Sequence, residues 1–222
     1  MNQTTKFISF AALMTLSWGA LAQSAGTWTG RVGLTNITPQ VSSGNMTAPS
    51  FPNTKADVGG DTRLSGGITY MYTDNIAIDL PIALPFKHKL LGAGALAGAG
   101  QIGEVTSVPF TVFGQYRFKE ASSVFRPYLG LGLTYAHFSD ETGSSALTAM
   151  TNPGGAPTKL SVQSKFALTP QLGFTYLLTE KWALDASFSK TYLKTRTSFS
   201  TGQTLDATLN PNTLSLGIGM KF

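Results

Sequence analysis

The feature that most constrains this chain is an apolar/polar alternation with a period of two, repeated over eight segments. That period puts every second side chain on one face of an extended backbone, so each segment reads as a β-strand with one greasy and one polar face. In the clearest segment Leu160, Val162, Phe166, Leu168, Pro170, Leu172, Phe174 and Tyr176 share one phase. Ser161, Gln163, Lys165, Thr169, Gln171 and Thr175 hold the other, and only Ser164 and Ala167 blur it. The last segment sets Leu214, Leu216, Ile218, Met220 and Phe222 against Thr213, Ser215, Gly217, Gly219 and Lys221. Comparable patterns run through residues 28–35, 64–73, 76–87, 107–118, 128–135 and 182–192, where Lys190 alone falls on the greasy phase.

Connections alternate as well. Short turns are predicted at Thr73-Asp74-Asn75, Lys119 to Val124 and Thr179-Glu180-Lys181. Longer loops are predicted at Ile37 to Asp61, His88 to Ile102, Ser139 to Thr158 and Thr197 to Thr204. Short turns at one rim and long loops at the other fit an up-and-down outer-membrane barrel. A water-soluble sandwich or barrel would show the same alternation with its apolar face inward, so the period alone leaves both open. Three further features favour the membrane. Trp28, Tyr72, Phe118, Phe125, Tyr176, Trp182 and Phe222 cluster towards the short-turn rim, where an interfacial girdle belongs. The second face is mostly Gly, Ser and Thr with scattered charge, which suits a narrow lumen. The chain also ends on an alternating strand closed by Phe222, the type of ending that outer-membrane assembly machinery recognises. The expected fold is therefore all-β: an eight-stranded antiparallel transmembrane β-barrel with short periplasmic turns and long extracellular loops.

Composition removes several function classes. Only 12% of residues are charged, against roughly 25% in ordinary soluble proteins. With no Cys and two His, thiolate metal sites, cysteine nucleophiles and most zinc sites have no ligands, and no cofactor is called for. A net charge of +5 without a basic run gives nucleic acid no footprint. Residues 1–22 read as a secretory signal: Lys6, an apolar stretch from Phe7 to Leu16, then Ala20-Leu21-Ala22 before Gln23. Residues 23–222 then form a single barrel domain. After Ala22 no apolar run approaches the roughly 18 residues of a membrane helix.

The segments "RVGLTNITP", "GITYMYTDNIAIDL", "PFKHKL", "IGEVTSVPFTVFGQYRF", "FRPYLGLGLTYAHF", "LTEKWALDASF" and "NPNTLSLGIGMKF" resemble the OmpW family of outer-membrane proteins. The resemblance runs through most of residues 23–222 in order. It implies an eight-stranded barrel of a Gram-negative outer membrane that passes small hydrophobic molecules, with alkane-uptake proteins of the AlkL type as relatives. Porin-like passage without an enzyme reaction follows.

Three groups of residues are candidates for that function. Arg31, Asp79, Arg117, Arg126, Asp185 and Lys221, with Gln115 and Gln171, fall on the inner phase near the short-turn rim. Opposite charges there can pair into a polar plug, because buried charge must be compensated; simple filling of the barrel is the alternative. Apolar residues gather in the loops, as a cargo-binding mouth or as loops that merely pack on one another: Phe51 and Met46, then Leu90, Leu91, Ala93, Ala95, Leu96 and Ala97, then Leu147 and Met150. Pro81, Pro85 and Pro109 lie within predicted strands and cannot donate ladder hydrogen bonds, which marks a lateral exit or an ordinary bulge. His88, in "PFKHK", is expected at the loop rim, in contact with lipopolysaccharide phosphates or simply solvated. The expected partners are thus outer-membrane lipid, lipopolysaccharide, hydrophobic cargo and, through Phe222, the assembly machinery. Two alternatives stand beside the channel. One is a non-transporting structural or receptor barrel. The other is a lipid A-modifying hydrolase built on His137, Ser139 and Glu141 at alternate positions.

Overall fold

A computed structural model describes residues 23–50 and 52–222 of the chain. The expected signal segment 1–22 and the mouth candidate Phe51 lie outside the described residues. In chain order the strands are β1 (Trp28–Thr38), β2 (Ser42–Ser43), β3 (Thr54–Val58), β4 (Asp61–Met71), β5 (Ile76–Ala83), β6 (Phe86–Gly94), β7 (Gln101–Arg117) and β8 (Phe125–Gly143). Helix α1 (Ser145–Thr151) follows, then β9 (Leu160–Val162), β10 (Lys165–Leu177), β11 (Trp182–Lys190), β12 (Lys194–Phe199), β13 (Thr204–Thr208) and β14 (Asn212–Lys221).

One ten-stranded sheet closes on itself. Going round the wall, β1 pairs with β4, β4 with β5, β5 and β6 with β7, then β7 with β8, β8 with β10, β10 with β11 and β11 with β14. β14 returns to β1 along a ladder from Thr29↔Lys221 to Thr38↔Asn212. Since β5 and β6 are successive parts of one stave and β3 only extends the upper edge of β6, the wall has the eight staves read from the sequence. Closure leaves no free sheet edge across an apolar medium, the condition for a strand protein to span a membrane.

Burial decides the question that the alternation left open. Val32, Leu34, Leu64, Ile78, Leu131, Leu168 and Leu216 are exposed on the outside of the wall. Thr69, Gln115, Arg117, Arg126, Thr134 and Thr169, from the opposite phase, are buried inside it. An apolar exterior around a polar interior is the arrangement of a membrane barrel. The aromatic residues at the short-turn rim are exposed too, several in contact: the Trp28 and Tyr70 rings lie 4.7 Å apart and those of Phe125 and Phe174 5.3 Å apart. The turns at 72–75, 118–124 and 178–181 stand where the sequence put them.

The loop end is more ordered than expected. Much of the segment from His88 to Ile102 is strand, because β6 and β7 continue past the wall, and β8 runs 19 residues. The expected loop at Thr197 to Thr204 shrinks to a tight turn between β12 and β13, which form a second sheet in the order β2-β13-β12-β9. The long alternating segment that starts at Leu160 is also broken. At the Gln163-Ser164 break β9 leaves the wall to pair with β12, so Leu160 and Val162 are buried under the second sheet while Phe166 and Leu168 face out. The blur at Ser164 is this break. A hydrophobic cluster of Met46, Ile102, Val105, Leu147, Leu160, Val162, Phe199 and Leu205 joins the second sheet, α1 and the upper barrel.

The candidate channel and its plug

Inward-facing side chains at the short-turn end form one hydrogen-bonded layer. Arg31 on β1 reaches across β4 to Asp79 on β5 and donates from both terminal nitrogens, at 2.5 and 2.8 Å. Thr69, on the β4 between them, donates to the same carboxylate at 2.6 Å and accepts from Arg31 at 3.0 Å. Gly67 makes the crossing possible: a Cβ there would stand 2.8 Å from the Arg31 guanidinium. Two-point pairing with a planar guanidinium is the strong form of ion pair, and Asp79, at 0% exposure, has no water to replace it.

On the other side of the lumen Gln115 donates to Gln171 at 2.8 Å and accepts from Arg117 at 2.9 Å. Arg117 also donates to Thr175 at 2.9 Å and lies 4.8 Å from the centre of the Tyr128 ring. Tyr128 and Thr175 both donate to Asp185, at 3.2 and 3.1 Å. Arg126 closes the bottom, donating to the carbonyls of Gln23 at 3.0 Å and Asp74 at 2.5 Å. Seven of the plug candidates thus fall into one region, in two groups around Arg31–Asp79 and around Arg117–Asp185. Lys221 sits half-buried at the rim of β14 opposite Thr29.

Sequence reasoning missed Tyr128, Phe113 and Gln23. The signal for the first two was large rings on the small-residue phase opposite glycines. A Cβ on Gly173 would come within 2.5 Å of the Tyr128 ring, and one on Gly132 within 2.6 Å of Phe113. Gln23 carried no signal in its local pattern. Its side chain accepts from Arg117 at 3.2 Å and its backbone N–H donates to Ala121, contacts that exist only once the barrel closes.

Above this layer a cavity with about 1610 Å³ of space, its solvent-open part included, extends to the loop end. Its upper walls are Met46, Leu90, Ile102, Val105, Leu147, Leu160, Val162, Phe199 and Leu205, and its floor includes Arg31 and Gln171. Of the mouth candidates, Leu90 and Leu147 line it and Met150 packs behind them. Leu91 faces outward, and Leu96 is buried over Gly92 away from the cavity.

The three prolines meet at an interruption of the wall. The β5–β7 ladder runs from Ile76↔Tyr116 to Asp79↔Phe113, and pairing resumes only at Phe86↔Ser107 on β6. Residues 80–85 therefore stand against 108–112 with no ladder pair among the described residues, and this interval contains Pro81, Pro85 and Pro109. The missing N–H groups and the extra residue of a bulge account for it. Pro81, Ile82, Ala83 and Pro109 all line the cavity, and Ile82 is 63% exposed.

The bulge also turns the following strand over. Phe86 and His88 face inward while Lys87 and Lys89 face out, so His88 is not a rim residue as expected. Its Nδ1 lies 2.8 Å from the Gly59 carbonyl and its Nε2 3.1 Å from Ser107 Oγ. Burial is the largest influence on its pKa and lowers it; Arg63 acts in the same direction, the Gly59 hydrogen bond and Asp61 in the other. Neutral imidazole then donates from Nδ1 to the carbonyl and accepts from Ser107.

The hydrolase candidates do not come together. His137 Nδ1 lies 3.4 Å from Ser164, Ser139 donates to Asp140 at 3.4 Å, and Glu141 accepts from the Val162 N–H at 3.0 Å. No hydrogen bond links Ser139 to His137 among the described residues, and among them no group of His, Asp and Glu could hold a metal ion.

Relatives agree with the architecture. The chain is 33% identical to outer membrane protein W of Vibrio cholerae over 100% of both chains. It is 27% identical to outer membrane protein AlkL of Ectopseudomonas oleovorans, over 80% of this chain and 74% of that protein. Among solved structures, the crystal structure of the outer membrane protein OprG from Pseudomonas aeruginosa superposes with a TM-score of 0.82 at 28% identity, covering 92% of this chain and 99% of that one. With the OmpW family model matching residues 24–222, and with a wall that is apolar outside and polar inside, the chain is an outer-membrane β-barrel and belongs to the OmpW family.

Proposed function

We propose that this protein is a passive channel that takes small hydrophobic molecules from outside the cell into the outer membrane. The observation that supports it most is a cavity, apolar at its mouth, with Arg31 paired to Asp79 at its floor and with residues of an unpaired stretch of wall in its lining. With short turns on the periplasmic side, as in barrels of this type, the apolar mouth faces outward. Cargo enters because burying apolar surface is favourable by about 25 cal/mol per Å². It does not continue downward, because parting Arg31 from Asp79 or Arg117 from its partners leaves buried charge uncompensated. The open route is sideways between residues 80–85 and 108–112, past Ala83 and Pro109, into lipid. No energy source is needed.

Two further contacts belong to this reading. Lys87 and Lys89 face outward above the apolar belt, at the level of lipopolysaccharide phosphates. Phe222, exposed and bonded through its backbone to Trp28, is the aromatic residue of β14's stave offered to the assembly machinery.

Ala83→Trp places a large ring in the gap. In cells with a lipopolysaccharide-bearing outer membrane, we expect this variant to lose most protein-dependent uptake of a hydrophobic probe while keeping the heat-dependent gel shift of a folded barrel. Uptake equal to that of the unmodified protein would remove the lateral route.

A further inference from the structure

Between the apolar mouth and the charged floor, the inner wall is two-sided. On β11, Ser187 and Ser189 point into the cavity, and on the adjoining β14 so do Thr213 and Ser215. The register makes these neighbours: Ser187↔Ser215 and Ser189↔Thr213 are direct cross-strand pairs, and Thr35 on β1 stands beside Ser215. Some of these hydroxyls satisfy one another. Thr35 bonds both Ser65 and Ser215 at 2.8 Å, and Thr191 accepts from Thr169 at 3.1 Å. The side chains of Ser187, Ser189 and Thr213 bond to no other group among the described residues, although Ser189 is only 6% exposed. Ser187 and Thr213 are half-buried, and all three hydroxyls lie on the cavity wall without a protein partner among the described residues, free to bond to whatever fills the cavity.

Their position relative to the wall gap is set by topology. Counting staves round the ring as β1, β4, β5/β6, β7, β8, β10, β11 and β14, the β5–β7 seam lies four staves from the β11–β14 seam. The hydroxyl patch therefore faces the lateral gap straight across the lumen. On the gap side the lining is mostly apolar, with Pro81, Ala83, Phe86, Pro109 and Phe113, and its hydroxyls are already bonded, Thr111 to Thr134 at 2.8 Å and Ser107 to His88 at 3.1 Å. An eight-stranded barrel has room for one small ligand at most.

We propose that the channel's preferred cargo is an uncharged amphipath, a medium-length hydrocarbon chain ending in one alcohol or carbonyl oxygen. The oxygen is held by Ser187, Ser189 and Thr213 while the chain lies across the lumen with its tail in the gap. The head is neutral because the one guanidinium on the floor of this cavity, Arg31, is already committed to Asp79, so a carboxylate would enter a low-dielectric space without a free cation. A plain alkane fits the same space but leaves the three hydroxyls dry. The tail-first position at the gap then sets the direction of release, with the tail entering lipid before the head lets go. This inference names the cargo class for the channel proposed above and rests on that reading.

The test uses the full-length protein in intact cells with a lipopolysaccharide-bearing outer membrane. Protein-dependent uptake of radiolabelled dodecane, 1-dodecanol and dodecanoate is measured against cells lacking the barrel. One net hydrogen bond is worth about 0.5–1.5 kcal/mol, or roughly 2- to 10-fold. We therefore expect the alcohol to exceed both alkane and carboxylate by about that factor. The Ser187→Ala/Ser189→Ala/Thr213→Val variant, checked for folding by its gel shift, is expected to bring the alcohol-to-alkane ratio close to one. Equal uptake of alkane and alcohol by the unmodified protein, a ratio unmoved in the triple variant, or a preference for the carboxylate overturns this inference alone. Absence of protein-dependent uptake for all three probes overturns the channel reading and this inference with it. The comparison of probes on the unmodified protein needs no variant to fold.

Discussion

At the scale of single residues, the charges inside the barrel are held in two ways: Arg31 and Asp79 by an ion pair, Arg117 and Arg126 by the neutral oxygens of amides, hydroxyls and carbonyls. Asp79 receives Arg31 and Thr69 together, and removing one member of such a pair typically costs 3–5 kcal/mol because the other stays buried and charged. His88 is the inward group outside the membrane belt that can change its charge near neutral pH. Its pKa lies below the ordinary 6.5 because it is buried between Gly59 and Ser107. The unfolded chain therefore takes up a proton below about pH 6.5 that the folded chain refuses. Stability from this residue is complete above that pH and declines as pH falls towards the folded pKa. The slope is at most about tenfold in the opening equilibrium per pH unit. Amide exchange of β6, corrected for intrinsic rate, should show this loss between pH 7 and 5, and His88→Gln should abolish it. Equal protection across that range in the unmodified protein would contradict the assignment. That His88 turns inward was not legible in "PFKHK", since the residue's face depends on a bulge at Pro85 three positions earlier.

At the scale of elements, the strands follow the sequence wherever one neighbour suffices and depart from it where two compete. β1, β4, β8, β10, β11 and β14 keep one unbroken phase against lipid for most of their length. The stave that contains β5 and β6 does not, because Pro81 and Pro85 remove donors and the register against β7 slips by one between Asp79↔Phe113 and Phe86↔Ser107. Hydrogen exchange can see this directly. The Thr111 amide, which points towards β5 rather than β8, should exchange at least about tenfold faster than the wall amides of β10 and β11, since it lacks a ladder partner. Uniform protection along β7 would mean that the wall is closed. The prolines themselves were readable as breaks. That all three fall at one seam was not, because Pro109 is brought opposite Pro81 and Pro85 by pairing across residues distant in the chain.

At the scale of the whole molecule, the barrel and the layer above it are held by different forces. The wall relies on ladder bonds and lipid, while the second sheet and α1 rest on the hydrophobic cluster around Leu147, which is 0% exposed. Leu147→Ala removes packing worth about 2–5 kcal/mol at such a site. Limited proteolysis should then cut the variant between residues 144 and 160 while its barrel keeps its gel shift. A variant that resists cleavage as the unmodified protein does would show that the mouth does not depend on this cluster. The sequence by itself determined the strand period, the eight staves, the short turns and the inner charges, because alternation, turn residues and charge are local properties that the backbone expresses directly. The rim aromatics and the small, polar second face already favoured lipid over a core for the greasy face. Only the tertiary structure decided the meeting of Gln23 with Arg117 and Arg126, the alignment of three prolines at one seam, and the hydroxyl patch that faces them. Each of those depends on register and closure, which join residues far apart in the chain and leave no trace in the pattern of any one strand.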